Sequence, residues 1–81
     1  MTTRNKERDF KYLIKSGYAF GNVVAFFLRD AGHSMADVGR DIGTTRQMVG
    51  HVVNSKSRSR VIEQAIIDVI GFDPWKTRNE G

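Results

Sequence analysis

The sequence contains no cysteine and a single proline, Pro74. Without thiols it can build neither a disulfide framework nor a thiolate metal site, so packing must hold it together, with dimerisation as a further source of stability. With proline confined to one late position, nothing before residue 74 forces a break in helical structure. Long hydrophobic runs are missing too. The longest, Val23–Leu28, falls far short of the roughly 20 apolar residues that cross a bilayer. The opening Met1-Thr-Thr-Arg-Asn-Lys-Glu-Arg-Asp9 has no apolar centre of the kind a signal peptide needs. A soluble chain of the cytoplasm, with no membrane partner, is the expectation.

Catalytic patterns are equally scarce. There is no nucleophile with a neighbouring base, no paired carboxylates at a useful spacing, no phosphate-binding loop and no metal-ligand spacing. His33 and His51 have no partner pattern that suggests a metal site. At 81 residues the chain makes one small domain, near the lower limit for a self-sustaining core and too short for a large cleft. No enzyme activity, cofactor or small-molecule ligand is expected.

The scarcity that says most is local. The net charge is +4, a mild excess common among small domains, but it is unevenly placed. From Ile42 to Ile62 there is no acidic residue, while Arg46, Lys56, Arg58 and Arg60 all lie inside that window. Asp30, Asp37 and Asp41 precede it, and Glu63 and Asp68 follow. A solvated loop can carry such charges by default. Their coincidence with the helical pattern described next favours a footprint for a polyanion.

The apolar residues fall at helical spacing, with no sustained alternation that would mark strands. Met35, Val38 and Ile42 form one stripe; Val49, Val52 and Val53 form another, with Gly43 between them where the chain must turn. Ser34 and Asp37 make a capping box that starts the first of these helices at Met35. Thr44 and Thr45 can each cap the second, Thr44 with Gln47 as an alternative capping box. Two helices joined by so short a turn bury their facing stripes and leave the second protruding, the geometry of a helix-turn-helix at about residues 35–53.

Elsewhere, residues 1–8 read as a flexible basic arm. Phe10, Leu13 and Ile14 give a short helix ended by Gly17. A stronger helix carries Phe20, Val23, Val24, Phe27, Leu28 and Ala31, with Asn22 as its expected N-cap and Gly32 as its stop. Phe26 lies off that stripe and is assigned to packing against Phe10, Leu13 and Ile14, with a dimer surface as the other option. From Arg60 to Ile70 the apolar stripe includes Val61, Ile62, Ala65, Ile66, Val69 and Ile70 and stops at Gly71. Asp73 and Pro74 then fit the N-cap and first position of a short final turn. Residues 9–75 are expected to form the domain, with a core at 20–75, and residues 76–81 to be a loose tail.

On double-stranded DNA, the outward positions of the second helix would be Arg46, Gln47, Gly50 and His51, since the valines must face inward. Arginine can grip guanine O6 and N7 in a bidentate pair and glutamine the adenine N6 and N7, each worth about 1–3 kcal/mol of discrimination. His51 can hydrogen-bond a base or phosphate. Gly50 costs roughly 1 kcal/mol relative to alanine inside a helix. Close approach to a groove would explain it, and so would close packing against a neighbouring helix or mere tolerance of the glycine. Thr44 and Thr45 place hydroxyls and N–H groups at a helix N-terminus that favours phosphate, and capping alone would also account for them. Lys56, Arg58 and Arg60 would contact phosphates beside the groove.

The stretch Gly43-Thr-Thr-Arg-Gln47, followed by Val49 and Val52-Val53-Asn54, resembles the lambda-repressor-like (Cro/C1-type, XRE) helix-turn-helix family. Ala65-Ile-Ile-Asp-Val-Ile-Gly-Phe-Asp-Pro-Trp75 resembles the end of Ner-like phage regulators, and the resemblance covers about residues 20–75. It implies an all-α, compact bundle of about five helices. It also implies a transcriptional regulator from a phage or mobile element, in which Thr45 holds phosphate and Arg46, Gln47, Gly50 and His51 face bases. Gly39 departs from the pattern, which usually has alanine there. The expected function is a sequence-specific DNA-binding repressor that acts as a homodimer on a palindromic operator. The alternative is a protein-interaction adaptor or antitoxin-like module built on the same bundle.

Overall fold

The computed structural model describes residues 5–80, and every regular element among them is a helix. In chain order these are α1 (Lys6–Lys15), α2 (Phe20–Asp30), α3 (Met35–Ile42), α4 (Arg46–Val53), α5 (Arg60–Ile70) and α6 (Pro74–Glu80). The fold is all-α, with six helices where about five were expected. None is long and apolar enough to cross a membrane.

Helix α2 packs on α1, α4 and α5. Its buried Val23, Val24, Phe27 and Leu28 meet Val38 of α3, Val49, Val52 and Val53 of α4, and Ile62, Ile66 and Ile70 of α5 in one continuous core. The most extensive pairing is between α3 and α4. Gly43 adopts a left-handed conformation with φ 78°, a conformation glycine takes without steric cost. The Thr44 N–H then reaches back to the Gly39 carbonyl at 2.7 Å and the Gly43 N–H to that of Arg40 at 3.4 Å. This closure satisfies carbonyls that the end of α3 would otherwise leave orphaned. Gly39 is required by the same turn. A Cβ there would stand 2.9 Å from the Thr44 carbonyl oxygen and 3.0 Å from the Thr45 carbonyl carbon, so even the alanine of the resembling family would push the turn outward.

The start of α3 is fixed as the Ser34–Asp37 spacing predicts. The Asp37 N–H donates to the Ser34 hydroxyl at 3.1 Å, and the Ser34 N–H donates to the Asp37 carboxylate at 2.9 Å. That backbone N–H first, then the Ser34 hydroxyl, with lesser help from Arg40 and His33, holds the Asp37 carboxyl below its ordinary value. A carboxyl depressed in the folded state stabilises the fold above its unfolded pKa, and the benefit disappears as pH falls through the folded value. In thermal unfolding followed from neutral pH into acid, the wild type is expected to lose stability below the ordinary carboxylate range more steeply than Asp37→Asn. Parallel curves would show that the charge of Asp37 contributes nothing. Replacing the cap itself, Ser34→Ala, should cost about 1 kcal/mol.

Five expectations need correction. The basic arm does not extend to residue 8: Lys6, Glu7 and Arg8 belong to α1, whose first turn is capped by the Asn5 side chain accepting from the Arg8 N–H at 3.0 Å. The part of that arm at residues 1–4 lies outside the described residues. Residues 76–80 are not a loose tail, because α6 runs to Glu80 and packs on α1. Thr77 is 1 % exposed and donates to the Glu7 carboxylate at 2.9 Å, while Arg78 stacks 4.3 Å above the Phe20 ring. Asn22 does not cap α2, which begins earlier with Ala19 at the cap. Starting there places Phe20 against Phe10 and Trp75, with centroids 5.7 and 5.9 Å away. Phe26 is not core. It is 52 % exposed, touching Phe27 edge-on and bordering a shallow apolar groove with Leu13, Tyr18, Asn22 and Val23. Val61 likewise leaves the α5 stripe for the surface.

Candidate nucleic-acid interface

The inward face of α4 is set by Val49, Val52 and Val53, all essentially without solvent contact. On a helix of 3.6 residues per turn, Gln47 and His51 then lie opposite those valines, with Arg46 and Met48 on the two flanks and Gly50 between. Arg46 and Gln47 are exposed; Gly50 and His51 are half-buried. The face is presented by two fixed ends. At the start, the Thr45 hydroxyl accepts from the Met48 N–H at 3.1 Å, so Thr45 and not Thr44 is the cap, and a Thr44–Gln47 box does not form. At the other end the Asn54 N–H donates to the Gly50 carbonyl at 2.9 Å, and Asn54 lies against Gly21 of α2.

Gly50 has open space beside it: a Cβ built there meets nothing within 4 Å. Of the explanations offered by its sequence position, close packing against a neighbouring helix is therefore excluded, which leaves close approach to a groove and mere tolerance. The exposed side of α4 is low at that point.

The two threonines differ. Thr45 is exposed, and its hydroxyl hydrogen remains available while the oxygen caps α4. Thr44 is half-buried with its N–H consumed by the closure of α3, which leaves only its hydroxyl for an anion.

Beyond α4, Lys56 and Arg58 on the connection to α5 and Arg60, the first residue of α5, are all exposed. Arg58 is not a free cation. Its Nε donates to the Glu63 carboxylate at 3.0 Å, and the same carboxylate receives the Ser59 N–H at 3.4 Å. Glu63 is buried, and sequence reading missed it because an acid following a basic loop looks like ordinary surface charge. The connection is also tied to α6, through an Arg78–Ser55 hydrogen bond of 3.2 Å. Ser55 has φ 63°, an uncommon left-handed conformation for a residue other than glycine.

Two further residues join the surface. Met48 is 39 % exposed on the flank of α4. Arg29 of α2 and Arg46 of α4 line one small cavity together with Ala25, Ser34, Met35 and Ala36, so a second cation stands beside the start of α4. Among the described residues no cluster of His, Asp and Glu is suited to holding a metal ion.

The arrangement can present a polar, cationic helix face to a groove, with more cations alongside for a phosphate backbone. No protein-family model, curated protein or solved structure matches this chain.

Proposed function

We propose that this protein is a sequence-specific double-stranded DNA-binding transcriptional regulator, a repressor in the manner of the lambda-repressor-like family that its sequence resembles. In this reading α3 and α4 act as a helix-turn-helix and α4 lies in the major groove. The observation that carries it is the division of α4 into a fully buried valine face and an outward face of Arg46, Gln47, Gly50 and His51, inside a stretch of chain without acids. Arg46 and Gln47 are the base-reading side chains. Gly50 admits the groove wall, and His51 reaches a base or phosphate further along. Thr45, Lys56 and Arg60 neutralise the backbone, Arg58 does so only in competition with Glu63, and Thr44 contributes its hydroxyl alone.

The chain acts as a homodimer on a palindromic operator, which requires two recognition helices about 34 Å apart. The protein works in the cytoplasm, where its operator lies.

The phosphate assignment is tested by the salt dependence of binding to a duplex of arbitrary sequence. Lys56→Ala and Arg60→Ala should each weaken binding to every duplex and reduce the slope of log K against log salt by about 1. Arg58→Ala should change it less, since Glu63 already holds that guanidinium. Slopes identical to wild type for Lys56→Ala and Arg60→Ala would remove the loop from the interface.

A second reading, a protein-interaction adaptor, is favoured by one observation: the apolar groove at Leu13, Tyr18, Val23 and Phe26 on the flank of α2. Failure to bind any duplex at moderate salt would favour it.

A further inference from the structure

We infer that Met48 is a specificity-determining residue that reads the C5 methyl group of a thymine in the major groove, an assignment that rests on α4 being the recognition helix. Few large apolar side chains of the described residues are exposed, and Met48 is among them. Met35 packs against the core, whereas Met48 is absent from both the core and the partly buried shell around it. Its side chain is therefore not committed to the core and remains open to a partner. Its position is nonetheless fixed, because the Thr45 hydroxyl accepts its backbone N–H at 3.1 Å and the next residue, Val49, is fully buried.

The surroundings choose the partner. Met48 shares the first turn of α4 with Arg46 and Gln47, in a stretch free of acids, so an apolar protein surface bearing the same positive charge is a poor match. The major groove of DNA offers strong negative charge together with one apolar feature per A·T pair, the thymine methyl. Methionine is unbranched and polarizable, and it adapts to such a contact without a donor or acceptor left unpaired. Arg46 and Gln47 would then read guanine and adenine edges while Met48 reads the one group that hydrogen bonding cannot see.

The experiment uses the full chain and a duplex enriched from a random library by binding to it. Each thymine of that duplex is replaced in turn by deoxyuridine, which removes only the methyl and keeps every hydrogen bond. At one thymine per half-site the wild type should lose about fourfold in affinity, the worth of one methyl group removed from water. Met48→Ala should bind thymine and uracil duplexes equally at that position, and Met48→Leu, still apolar, should retain most of the difference. Because Met48 lies outside the core, circular dichroism should show all three proteins equally folded. Equal wild-type affinity at every thymine–uracil pair, or an undiminished difference in Met48→Ala, would overturn the assignment while leaving α4 as a reader of sequence. A library from which no duplex is enriched would overturn both.

Discussion

Replacing Phe10 with alanine is expected to cost about 3–5 kcal/mol, the usual range for emptying a buried phenylalanine site. Phe10 has no solvent exposure and its ring meets those of Phe20, Phe27 and Phe72 edge-on, at 5.7, 5.8 and 5.4 Å. Edge-to-face pairs add about 0.5–1.5 kcal/mol beyond area burial, so the loss should sit toward the upper end. At about 0.05–0.15 kcal/mol per residue, a chain of 81 residues has only about 4–12 kcal/mol to lose. The variant should therefore be marginal or unfolded at room temperature, as read by the midpoint of urea unfolding. A loss below about 1 kcal/mol would mean that α1 is an appendage on a domain confined to residues 20–75.

The second large effect concerns binding. Arg46→Ala and Gln47→Ala should each weaken binding to an enriched duplex by about 1–3 kcal/mol, or roughly 5- to 150-fold, and relax the requirement at one base pair. Both side chains are exposed, so neither change should disturb stability. Binding to arbitrary duplex should fall little for Gln47→Ala, which removes no charge, and modestly for Arg46→Ala, which removes one. Equal losses on enriched and arbitrary DNA would show that these residues contact phosphate and do not read bases.

The middle of the fold was legible because its signals are local. Ser34 and Asp37 lie within one turn, Gly43 and Gly71 stop their helices by backbone geometry, and the valines of α4 repeat at a helical period; the observed bounds of α3, α4 and α5 follow from these. What escaped depends on partners distant in sequence. The helicity of residues 6–8 and 76–80 is supported by contacts such as Glu7 with Thr77, which lie 70 positions apart. Single-helix patterning cannot anticipate such a pair. Phe26 was misassigned for a related reason: aromatic residues are usually core, and only the path of α1 decides which flank of α2 is covered.

At the site, the outward positions of α4 followed from the buried valines, so Arg46, Gln47, Gly50 and His51 were readable from period alone. Met48 was not singled out, since an apolar residue in a helix is ordinarily assigned inward. The restraint on Arg58 was also hidden, because it needs the buried position of Glu63 on α5. The unequal roles of Thr44 and Thr45 required the closing hydrogen bond from the Thr44 N–H.

The central claim is that the exposed face of α4 distinguishes one DNA sequence from another. The most direct measurement compares the wild-type affinity for an enriched duplex with that for a shuffled duplex of the same composition, at physiological salt. Sequence reading by two half-sites predicts a ratio of at least about 10³, lost in large part when Arg46 and Gln47 are both alanine. A ratio near one, with Arg46 and Gln47 as exposed as described, would contradict it.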